Sequence, residues 1–99
     1  MSQFTIHRLR AGDELVCRVQ TDLGLATPYV LCAPVVPRSA WGTPVPRLHV
    51  EFEMEGAPHL VLMTQMVALP AGELGSAVGS AGAMRDEIVQ AVDLLVVGF

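Results

Sequence analysis

A chain of 99 residues, 52% hydrophobic and only 16% charged, makes a single domain over residues 1–99 with a core that stands without staples. Its net charge is −4 and its six cationic residues are all arginines, scattered along the chain, which excludes the clustered cations that a nucleic-acid groove needs. An apolar run of about 18 residues, the length that spans a membrane, is absent, and the start Met1-Ser2-Gln3-Phe4 lacks the layout of a secretory leader, so the expectation is a cytosolic protein.

Phe4 and Ile6 alternate with Gln3, Thr5 and His7 and predict a first strand. Ala11-Gly12-Asp13 is a turn signal. Leu15, Cys17 and Val19 then alternate with Val16, Arg18 and Gln20, a second strand. Residues 21–28 connect it to a nearly continuous apolar run, 29–36, that reads as a strand buried on both faces. Pro34 and Pro37 are expected to stop that strand, because proline donates nothing to a ladder.

Residues 37–46 hold three of the seven prolines and the single tryptophan, and read as a surface loop. Trp41 is either a lid packed on the core or an exposed anchor for another molecule. Val50, Phe52 and Met54 alternate with His49, Glu51, Glu53 and Glu55, the clearest amphipathic strand of the chain. Carboxylates on that strand face are ~7 Å apart per step, too far to share one ion, so they form a solvated surface. Glu55-Gly56-Ala57-Pro58 turns the chain back, and residues 59–65 return as a strand that Met66-Val67-Ala68-Leu69 continues to Pro70. Residues 71–82 are rich in small residues; a short turn of helix is expected around 74–78, and Ser80 or Gly82 as the N-cap of a C-terminal helix.

The C-terminal run is the one segment with a clear helical period. Met84, Ile88, Ala91, Val92, Leu95 and Phe99 form one stripe on a 3.6-residue repeat. Asp86 and Glu87 sit in the first turn, where the peptide dipoles favour negative charge, and Gly98 follows the last turn, where a positive φ is wanted. Val89, Val96 and Val97 accompany Asp93 on the other side, so this helix has a second apolar surface, which either completes the core or faces a partner. The elements together predict a mainly β chain: a small, strongly bent sheet or barrel of short antiparallel strands, with one C-terminal helix packed on it.

Signals of catalysis are sparse. His7, His49 and His59 fall in separate strands without metal-ligand spacing. Neither a GxxxxGKS phosphate loop nor a GxGxxG turn is present. Cys17 and Cys32 read as buried thiols behaving as small hydrophobes; a disulfide requires that their strands be neighbours.

Three segments resemble a known family in the same order and spacing. Gln3-Phe4 and Val19-Gln20-Thr21-Asp22-Leu23, followed by Thr27-Pro28, are similar to the opening of the CcdB family of plasmid- and chromosome-borne toxins. Thr64-Gln65-Met66-Val67-Ala68-Leu69-Pro70 resembles that family's Thr-Asp-Met-Ala-x-Val-Pro segment, and the run from Ile88 to Phe99 resembles its closing helix in register to the last residue.

The resemblance implies a five-stranded SH3-like small barrel with small extra strands and a C-terminal helix, as in the Kid/MazF ribonuclease toxins. It implies a cytoplasmic homodimer that serves plasmid maintenance as the toxin of a type II toxin–antitoxin system. Such a toxin binds the A subunit of the topoisomerase DNA gyrase and traps its cleaved-DNA complex, without catalysis, cofactor, metal, membrane or direct nucleic-acid contact. The tail of an antitoxin of the CcdA type covers the same helix end.

Carried over by position, the gyrase-binding tripeptide Trp-Gly-Ile falls on Val97, Gly98 and Phe99, and the antitoxin-binding positions on Leu23, Gly24, Asp93 and Val96. Valine in place of the tryptophan removes ~2–4 kcal/mol of anchoring at a buried interface centre. Two other readings stand beside the toxin. One is a non-toxic, diverged homodimer that binds antitoxin only. The other is an endoribonuclease of the same barrel class, for which Arg8, Arg10 and Arg18 are the available cations.

Overall fold

A computed structural model of the chain describes residues 3–98. The strands are β1 (Thr5–Leu9), β2 (Leu15–Arg18), β3 (Tyr29–Pro37), β4 (His49–Met54), β5 (Ala57–Leu62), β6 (Val67–Pro70) and β7 (Leu74–Ser80), and the helix α1 (Arg85–Val96) closes the chain. Every strand pair is antiparallel, in the order β4-β5-β3-β2-β1-β7, with β6 also on β3. The fold is thus mainly β with a C-terminal helix, as predicted, and its seven strands form one sheet, but no hydrogen-bonded ladder among the described residues joins β4 to β7.

The sheet is therefore open and not the closed barrel that the resemblance implies, although its two outer strands come close at one point. Met54 of β4 lies against Gly79 of β7 so tightly that a Cβ there would meet its Sδ at 2.6 Å. The two outer strands therefore curl toward each other around a common core. On the inside of that bend Phe4, Ile6, Cys17, Ala33, Val35, Val50, Phe52, Val61 and Met63 pack together with Ile88 and Ala91 of α1. A smaller cluster of Val16, Val30, Cys32 and Leu74 fills the other face. Because β2 and β3 feed both clusters, Val16 is buried like Cys17, and the two-sided burial expected of the third strand is observed.

Several boundaries differ from the sequence expectation, each for a local reason. Pro34 does not end β3; it sits mid-strand, paired with Val16. On the opposite edge of β3 the partner changes from β6, ending at Cys32, to β5, starting at Val35, so Pro34 falls where that edge carries no ladder. The returning strand is two strands, because a 3-10 turn at Met63–Gln65 drops the fully buried Met63 into the core before β6 begins.

Residues 74–78, expected as helix, belong to β7, which pairs with β1. Neither Ser80 nor Gly82 caps α1, whose N-cap is Met84; Ser80 Oγ instead accepts the Gly82 N–H at 3.0 Å and holds the 3-10 turn ahead of the helix. Glu55 and Gly56, at φ 55° and 76°, are the two central residues of the β4–β5 hairpin, joining Met54 to its partner Ala57.

The cysteine strands β2 and β3 are neighbours, yet both thiols are free, since Cys17 faces the main core and Cys32 the smaller cluster. Burial, reinforced by the Cys32 thiol, pushes Cys17 from 9.0 up to about 12. Burial likewise raises Cys32, against an opposing pull from Arg18. A thiol raised on folding favours the native state below its unfolded value. Native stability should therefore fall as pH climbs from 9.0 toward about 12, read by denaturant midpoints across that range, while Cys17→Ala flattens the slope.

Glycine placement supplies a second test. A Cβ at Gly75 would collide with the Arg8 backbone carbonyl, whereas one at Gly72 would meet nothing within 4 Å. Gly75→Ala should lose about 1–3 kcal/mol in denaturant unfolding, and Gly72→Ala should be neutral within ~0.5 kcal/mol.

Candidate functional site

The helix places the predicted C-terminal residues. Ile88 and Ala91 are fully buried, and Met84, Val89 and Val92 pack against the same core, so Val89 belongs to the buried side of α1 and not to its outer surface. Leu95 continues the buried stripe in sequence but is 40% exposed, because the last turn runs past the core; Val96 and Val97 beside it are 75% and 57% exposed. Gly98, at φ 93°, ends the helix, with its N–H on the Leu94 and Asp93 carbonyls at 3.1 Å, a left-handed cap that only glycine adopts without strain. The Asp93 side chain is exposed on the same turn. Phe99 lies outside the described residues.

The other predicted pair, Leu23 and Gly24, lies in the segment between β2 and β3. This segment arches over the end of β2 and encloses a cleft of about 380 Å³ lined by Arg18, Gln20, Asp22, Leu23, Leu25 and Val30 among others. Leu23 is 53% exposed and Gly24 turns at φ 74°. The helix contributes no lining residue to this cleft, so Leu23 and Gly24 form one surface, and Asp93, Val96, Val97 and Gly98 another. Sequence reasoning does not single out Arg18 or Leu25 for this surface; the available signal is a charged residue inside the apolar run Val16-Cys17-Arg18-Val19.

The three arginines that an endoribonuclease would use are divided. Arg8 and Arg10 line a separate shallow cleft with Gly12, Gly75 and Ser76, away from Arg18. The histidines are engaged singly: the His7 Nδ1–H donates to the Gly75 carbonyl at 3.0 Å, the His49 Nδ1 accepts the Val45 N–H at 2.9 Å, and the His59 Nδ1–H donates to the Ala57 carbonyl at 3.0 Å. Among the described residues no group of three metal-ligating side chains comes together. Trp41 is half-buried and meets the His49 ring edge-on, with ring centroids 5.3 Å apart.

Comparison with the curated proteins gave no match. A family model described as "CcdB protein" matches residues 3–98, a span that runs from the first described residue through both surfaces to the Gly98 cap. With that span covering nearly all of its length, the chain belongs to the CcdB family.

Proposed function

We propose that this chain is the toxin of a type II toxin–antitoxin pair, and that it acts as a cytoplasmic homodimer by pressing its helix tip onto the A subunit of DNA gyrase. Family membership supports the general part, a toxin that poisons gyrase. The observation that carries the specific part is the overhanging last turn, where Leu95, Val96 and Val97 stand exposed in succession ahead of the glycine cap. Consecutive exposed apolar residues on a small domain mark a surface meant for contact. Val97, Gly98 and Phe99 are the gyrase-binding residues in this reading, holding the cleaved-DNA complex by contact alone. Leu23, Gly24, Asp93 and Val96 bind the tail of a CcdA-type antitoxin, which neutralises the toxin by covering this end of the molecule.

A second reading has its own observation. Valine at 97 presents far less contact area than the tryptophan at the matching place in the family's tripeptide, so a diverged homodimer that keeps the antitoxin and has lost gyrase is the competing function.

Expression of the chain alone in a gyrase-sensitive bacterium should stop growth and accumulate cleaved DNA. Deletion of residues 97–99 should abolish both effects while leaving the thermal midpoint within a few degrees, since Val97 and Gly98 are exposed and outside the core. Normal growth together with no binding to the isolated A subunit would sink the toxin reading. Val97→Trp separates the two functions: a gain of roughly 2–4 kcal/mol in gyrase affinity identifies a lost anchor, and no gain places the divergence elsewhere.

A further inference from the structure

The cleft under the segment 20–28 holds a cation, Arg18, that forms no ion pair among the described residues. Arg18 ends β2 on the sheet face it shares with Val16 and, across the pair to β3, with Cys32. Its side chain is half-buried, and its Nε is shielded from solvent with no hydrogen-bond partner. The ion pairs formed among the described residues, Arg38 with Glu51 and Arg85 with Asp86, do not involve it. A guanidinium stripped of water on one side and left unpaired is costly unless an anion completes it.

The polar groups of the wall leave Arg18 without an ion-pair partner. Gln20 is spent: its Nε2 donates to the Thr27 hydroxyl at 3.2 Å and its Oε1 accepts the Leu31 N–H at 3.1 Å. The Thr27 hydroxyl in turn donates to the Tyr29 carbonyl at 2.7 Å. Asp22 lines the same cleft without forming an ion pair to Arg18. Leu25 and Leu23, 68% and 53% exposed, form an apolar edge to the same cleft. One cation whose Nε has no partner and two exposed leucines describe a receptor for a carboxylate that has an apolar neighbour.

We propose that this cleft is a carboxylate-binding site for an acidic peptide, in which Arg18 takes a Glu or Asp side chain through its planar N–H fork and Leu23 and Leu25 grip an adjacent apolar residue. This rests on the reading that a partner peptide covers Leu23 and Gly24, and it adds the residue that reads the peptide's charge. Asp22 acts as the gatekeeper: as the one carboxylate in the wall it repels the incoming anion and keeps affinity low for peptides that bring no apolar grip.

The test is a titration of the isotope-labelled full chain with the blocked tripeptide acetyl-Leu-Glu-Leu-amide, its Gln counterpart, and inorganic phosphate, followed by NMR at residues 18–27. The Glu peptide should shift these resonances and bind about tenfold or more tightly than the Gln peptide, with phosphate weaker than the Glu peptide. Arg18→Gln should remove that preference, Arg18→Lys should keep part of it, and Asp22→Asn should strengthen binding. Equal binding of the Glu and Gln peptides, shifts centred elsewhere, or phosphate matching the Glu peptide would each overturn the proposal. The two-peptide comparison uses the unaltered chain, so it stands even where an Arg18 variant fails to fold. Growth arrest and gyrase binding through residues 97–99 are read separately, so a peptide-binding chain that does not kill overturns the toxin reading and leaves this site intact.

Discussion

Ile88 and Ala91 seat the helix in the bend of the sheet, and the positions of the exposed surfaces follow from that contact. Both are fully buried in a cluster whose other members come largely from five strands. Removing an isoleucine side chain from water contributes about 2–3 kcal/mol, a large share of the margin on which a domain of this size survives. The seat exists only because the sheet curls, and the curl depends on glycine where backbones and side chains approach: Gly79 under Met54, Gly75 against the Arg8 carbonyl. With Ile88 and Ala91 fixed, the register of α1 is fixed. Its final turn then runs past the last core residue and leaves Val96 and Val97 in solvent. Exposure of the tip is a consequence of where the core stops.

What the sequence discloses about this fold depends on whether an element is held by its own pattern or by a neighbour's shape. The alternation of Val50, Phe52 and Met54 with glutamates makes β4 legible, because half-burial alone dictates it. The helix is legible for the same reason, with a 3.6 period in place of 2. β7 is not legible. Its sequence Leu-Gly-Ser-Ala-Val-Gly-Ser has almost none of the branched or aromatic residues that favour strands, and what makes it a strand is the close fit of its glycines against β1 and β4. The split between β5 and β6 is hidden too. Residues 60–69 carry no glycine or proline, and the break comes from the pull of the core on Met63.

The same division holds for the surfaces. Periodicity shows that the helix has more apolar residues than one core face requires, but not that Val89 serves the core while Val96 and Val97 do not; that needs the position of the sheet's end. Val97, Gly98 and Phe99 are site candidates through the family resemblance; the family match over residues 3–98 shows the family and assigns these residues no role. Arg18 escapes notice because in an alternating pattern a charged residue is assigned to solvent. Here the segment 20–28 folds over that face and converts an outward position into the wall of a cleft. Loops that return over a sheet are set by their turns, and a composition of Thr, Asp, Leu, Gly and Ala leaves their path open.

The two surfaces are physically unlike, which bears on how one small chain would serve two partners. The tip presents exposed apolar side chains, so affinity there would come from area. Burying a valine fully is worth about 1.5–2 kcal/mol, so a partner that covers Val96 and Val97 together recovers much of what a single aromatic anchor would have given, provided its own surface is broad. That favours a large, preformed target over a short peptide. The cleft is concave and carries an unpaired cation, so affinity there comes from charge and from the fit of one side chain, which suits an extended peptide. An antitoxin reaching from the cleft to the tip would combine both. Its hold on the cleft would not depend on residue 97, and drift at that position would alter the contact with the target while sparing the contact with the antidote.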